Sequence, residues 1–60
     1  MNLKALEGKA VKIWDLKNRC LKGTVTSVKG GEILLEDKEK GKLSSVKENE
    51  IVLIRVEEGR

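Results

Sequence analysis

Lys29-Gly30-Gly31-Glu32 stands between two apolar runs, Cys20-Leu21-Lys22-Gly23-Thr24-Val25-Thr26 and Glu32-Ile33-Leu34-Leu35-Glu36. Paired glycines accept the positive φ values of the tight primed turns that join antiparallel strands, so this stretch reads as a β-hairpin. Outward from it the pattern repeats. Ala10-Val11-Lys12-Ile13-Trp14 precedes it, and Leu43-Ser44-Ser45-Val46 and Ile51-Val52-Leu53-Ile54 follow. Five short runs with turn residues between them predict an all-β fold, a small five-stranded antiparallel barrel.

The joints carry matching signals. Asp15-Leu16-Lys17-Asn18-Arg19 is a turn, since Asn18 tolerates positive φ. Asp37-Lys38-Glu39-Lys40-Gly41-Lys42 is a solvated hairpin loop, and Lys47-Glu48-Asn49-Glu50 is a short connection with room for one 3₁₀ turn. Asn2-Leu3-Lys4-Ala5-Leu6-Glu7-Gly8 predicts a short N-terminal helix, capped by Asn2 and ended by Gly8. Such a helix is not stable alone, and is expected to form by laying Leu3 and Leu6 over an open end of the barrel.

Alternation along each strand sorts the side chains. In the first run Val11 and Ile13 share one face, and Lys12 and Trp14 the other. In the second, Leu21, Gly23 and Val25 oppose Lys22, Thr24 and Thr26. Glycine in mid-strand marks a sharp bend or a close backbone approach, which a small barrel needs at Gly23. Ile33-Leu34-Leu35 and Ile51-Val52-Leu53-Ile54 are apolar on both faces, although a barrel strand buries only one. Leu34 and an outward pair among Ile51, Val52, Leu53 and Ile54 therefore require cover, from the N-terminal helix or from another copy of the chain. The expectation is a homo-oligomer.

Residues 1–60 make one domain, near the lower size limit for folding without metal or disulfide. Cys20 is the single cysteine and there is no histidine, which excludes an intrachain disulfide and a structural zinc site. No cofactor is implied. No stretch approaches the ~20 apolar residues of a membrane span, and the first residues form no signal-peptide core, so a cytoplasmic protein without membrane association is expected. The net charge of +3 is uneven. Residues 1–30 carry seven basic groups against two acidic, a net +5, whereas residues 31–60 carry six against eight, a net −2. A basic face toward an anionic partner is one reading, and an ordinary solvated surface the other.

Several motifs together resemble the Sm-like proteins, small barrels of the Src-homology-3-like type that form rings and commonly bind RNA. Leu6-x-Gly8-Lys9-x-Val11-x-Ile13 is similar to the opening of that family's first motif, and Leu21-Lys22-Gly23-Thr24-Val25 to its Gly-Thr-Leu strand. Ile33-Leu34-Leu35-Glu36-Asp37 is similar to its third strand. The segment from Val46 to Ile54 has the spacing of its second motif. The resemblance implies a ring of copies and single-stranded RNA as ligand. Two departures fall at the family's uracil pocket. The loop Lys29-Gly30-Gly31-Glu32 lacks its Asp and Asn, and Lys47-Glu48 replaces its base-contacting Arg-Gly. Lys47 attracts phosphate but has no planar guanidinium to stack on a base.

The candidate RNA-binding residues are thus Lys12, Trp14, Arg19, Lys22 and Lys29 on the basic half, with Lys47 and Asn49 in the second motif. Trp14, the single aromatic residue, is either a stacking platform beside Lys12 or a packing residue under the N-terminal helix or in a subunit contact. No catalytic constellation can be assembled, and no enzyme is expected. Cys20 has no histidine to activate it, and Gly30-Gly31 is not followed by the Lys-Ser/Thr and helix of a phosphate loop. The expected function is a non-enzymatic Sm-like ring with weak RNA binding. The alternative is a protein-interaction or assembly module without a nucleic-acid ligand.

Overall fold

A computed structural model describes residues 3–57. The cap expected from Asn2 lies outside the described residues. Five strands form one antiparallel sheet: β1 (Ala10–Asp15), β2 (Cys20–Lys29), β3 (Glu32–Asp37), β4 (Lys42–Lys47) and β5 (Ile51–Val56). Their order across the sheet is β4-β3-β2-β1-β5. The N-terminal element is a 3₁₀ turn, Leu3–Leu6, and a second one, Glu48–Glu50, connects β4 to β5. No helix among the described residues is long and apolar enough to cross a membrane.

The turns form where the sequence supplies left-handed residues. Gly30 and Gly31 have φ 59° and 77°, which closes the β2–β3 hairpin in two residues. Asn18 has φ 64° in the β1–β2 turn. There the Asp15 carboxylate accepts the backbone N–H groups of Lys17 and Arg19 at 3.0 and 2.9 Å.

β2 is the hinge of the sheet. Its first half, Cys20 to Thr24, pairs with β1, and its second half, Thr24 to Lys29, pairs with β3. A Cβ on Gly23 would lie 2.8 Å from the Glu36 carbonyl oxygen, so glycine lets the two strands approach where the partner changes. A bulge at Thr26 then shifts the alternation by one residue, so Val25 and Val28 both reach the core. Past the bulge the strand stays paired with β3 to Lys29, beyond the run that ends at Thr26.

Val11, Ile13, Val25, Ile33, Leu35 and Val46 are buried together, with Leu3 laid over them. Leu6, Leu21, Val28, Ile51, Ile54 and Val56 pack around this cluster. All five strands contribute, so the sheet curls about a single core and the N-terminal turn covers it as expected. Closure is different. β4 and β5 are the two edges, and among the described residues no ladder joins them. The connection between them is held to the turns instead: Glu48 N–H donates to the Gly31 carbonyl at 2.7 Å, and Leu16 N–H to that of Glu50 at 2.9 Å. It carries the chain to the far edge and leaves both outer strands with unpaired backbone groups.

Candidate nucleic-acid interface

The outer face of β1, β2 and β5 gathers three cations in one cross-strand row. Lys12 stands opposite Lys22 on one side and Arg55 on the other. At about 4.8 Å between strands the row spans roughly 10 Å. Like charges placed directly opposite each other destabilise a sheet. Lys12 and Lys22 have no ion-pair partner among the described residues, while Arg55 Nε reaches Glu57 Oε2 at 3.2 Å. Two residues along β1, Trp14 lies between Cys20 and Leu53 in an uncharged row. Trp14 is half-buried and stands outside the core cluster, so it does not pack under the N-terminal turn. Leu3 and Leu6 fill that place.

Lys29, Lys47 and Asn49 form a separate group at the Gly30-Gly31 turn. Six residues of β2 separate Lys29 from Lys22. Here the register alternates in sign, since Glu32 faces Lys29 on one side and Lys47 on the other. Gly30, Gly31, Glu32, Lys47, Glu48 and Asn49 line an open depression of about 550 Å³. Each lysine there already faces a carboxylate across the sheet. The seven residues expected to bind RNA therefore do not converge on one site.

Arg19 belongs to neither group. Its Nε and Nη2 bind Asp15 Oδ2 at 2.9 and 2.8 Å, so it serves the β1–β2 turn. The Asp15 carboxyl is held below its ordinary 3.8, first by the Arg19 backbone N–H and then by the Arg19 guanidinium, against the opposing effect of burial. Cys20 is an exposed free thiol. Among the described residues no three His, Cys, Asp or Glu side chains converge for a metal ion.

The apolar residues expected at a subunit contact depart from simple alternation in β5. A bulge at Val52 turns both Ile51 and Ile54 toward the core and leaves Val52 and Leu53 outward, 61% and 55% exposed. Leu34 is exposed on the outer face between Ser27 and Ser45. Two residues were missed from the sequence. Leu43, 65% exposed on β4, adds apolar surface to that edge, and Arg55 completes the cation row. The signal for Arg55 was its place between the inward Ile54 and Val56. The fold and these surfaces define a small antiparallel β protein with two open edges and a row of three cations across one face, of which Arg55 is paired with Glu57. No family model, curated protein or solved structure matches the chain.

Proposed function

We propose that the chain is a non-enzymatic Sm-like protein that assembles with copies of itself into a ring and binds RNA weakly. One observation carries the assembly. The six-residue edge β4 has a lysine at each end, Lys42 and Lys47, while the six-residue edge β5 is flanked by Glu50 and Glu57. Pairing β4 of one copy with β5 of the next sets these charges against each other with opposite sign. Pairing two like edges would oppose like charges. The contact is therefore head to tail, and a repeated head-to-tail contact closes into a ring when its rotation permits. Exposed Leu43 on one edge and Val52 and Leu53 on the other add apolar surface at the seam. The curled sheet with one shared core supports reading each copy as a small barrel, whose wall neighbouring copies extend. Its free thiol suits the reducing cytoplasm.

RNA binding rests on the like-charged row beside Trp14. A second reading, a protein-interaction module without nucleic acid, is favoured by Glu32 and Glu48 around the depression at the Gly30-Gly31 turn. Native mass and the 260/280 nm absorbance ratio of fresh protein test both parts. The expected result is a multiple of the 6.7 kDa protomer, with RNA affinity falling steeply between about 50 and 200 mM salt. A monomer at micromolar concentration refutes the ring. Absence of RNA binding at the lower salt leaves the interaction module.

A further inference from the structure

We infer that RNA runs over the outer face of β1, β2 and β5, with Lys22, Lys12 and Arg55 on phosphates and Trp14 under a base. This rests on the RNA-binding reading above and assigns its site, away from the Gly30-Gly31 turn. The first argument is charge. Lys12 stands directly opposite both Lys22 and Arg55, an arrangement that costs stability unless anions offset it, and of the three only Arg55 has an ion-pair partner among the described residues. At the other end of the molecule the lysines alternate with Glu32 and need no external anion.

The second argument is the neighbour of that row. Trp14 follows Lys12 by two residues on the same face, about 6.7 Å along the strand, comparable with the separation of a base from its own phosphate. Cys20 and Leu53 beside it carry no charge. An aromatic surface next to cations suits single-stranded nucleic acid, because every base has a π-face and every linkage a phosphate. A purely acidic polypeptide would use the cations and leave the indole without a counterpart.

Acidic groups stand at both ends of the row. Glu57 is bound to Arg55, Glu36 stands opposite Thr24, two residues beyond Lys22, and Asp37 and Glu39 line a depression with Cys20 and Lys22. They flank the track and keep the affinity weak. Edge pairing uses backbone groups of β4 and β5 and places Leu53 at the border between the seam and this face, so a ring would present one such track per copy.

Titrating short oligouridylate and oligoadenylate RNA while following the fluorescence of Trp14, the only tryptophan, tests the assignment. Both RNAs should quench it. Lys12→Gln with Lys22→Gln should lower the slope of log affinity on log salt by about 1.4, since each single-strand phosphate contact contributes about 0.7. Trp14→Leu should weaken binding about fivefold to a hundredfold through lost stacking. Lys29→Gln, at the Gly30-Gly31 turn and away from both edges, should leave affinity and salt slope unchanged. Circular dichroism checks each variant, and if Trp14→Leu unfolds, the quenching and the lysine variants decide. Loss of binding in the Lys29 variant alone overturns the site while leaving RNA binding intact. Failure of the unaltered protein to bind either RNA removes the reading beneath it. Equal binding of polyglutamate, with the same sensitivity to Lys12 and Lys22, overturns RNA as the ligand.

Discussion

At Gly23 the missing side chain is a structural component. The atoms a Cβ would meet are backbone, the Glu36 oxygen at 2.8 Å and its carbonyl carbon at 3.0 Å, and neither can rotate away. Gly23→Ala must therefore separate β2 from β3 at the hinge, and it should cost about 1–3 kcal/mol, as overpacking of a close contact does. The midpoint of urea unfolding measures this, and an unchanged midpoint would show that the approach is not obligatory. Asp15 makes the opposite contribution, since its carboxylate is what the turn requires. Its pKa is lowered by folding, so it stabilises the folded state above its unfolded pKa, and that stability disappears as pH falls through the folded value. Thermal stability should decline below about pH 4 in the native chain. Asp15→Asn should be less stable at neutral pH and should lose that part of the acid response. If both proteins lose stability in parallel on acidification, other carboxylates control it.

The two edge strands are distinguished by the charges at their ends. Glu50→Lys with Glu57→Lys would place lysines opposite Lys42 and Lys47 at every seam, and should reduce the assembly to monomers by native mass spectrometry. Lys42→Glu with Lys47→Glu should do the same alone, and mixing the two reversed proteins should restore both seams between unlike chains and yield alternating assemblies with an even number of copies. Failure of the mixture to associate would reject pairing between β4 and β5. The five strands were readable as five runs and four joints, and the left-handed Asn18, Gly30 and Gly31 stand where the turns were expected, whereas the two open edges replace the closure expected of a barrel. The bulges at Thr26 and Val52 were not readable, because a bulge is defined by the register of the partner strand and not by local alternation. They explain why Val25 and Val28, and Ile51 and Ile54, all turn inward. The candidate site followed the same rule. Alternation alone placed Lys12 with Trp14, whereas bringing Arg55 to Lys12 required pairing between strands about forty residues apart in sequence. Arg19 was lost to the site for a local reason, because Asp15 four residues earlier already holds it.

For the whole molecule, small size and open edges bear on the same question. A 60-residue chain buries only about 60% of the surface its unfolded form exposes, and among the described residues five side chains make up the fully buried centre. Stability gained at a seam between copies is then a large share of the total. Association of folded chains alone draws the unfolding equilibrium toward the folded state and makes the melting temperature depend on protein concentration. For a domain of this size the rise should be on the order of 5 °C for each tenfold increase in concentration. The lysine-flanked β5 variant should melt lower and at one temperature throughout. A melting temperature for the native chain that stays constant over a hundredfold range would show that the edges are satisfied by solvent, and that Val52, Leu53 and Leu43 are exposed for some purpose other than self-assembly. A rise in the native chain that is absent from the variant would place the missing stability of this small fold at the seam between β4 and β5.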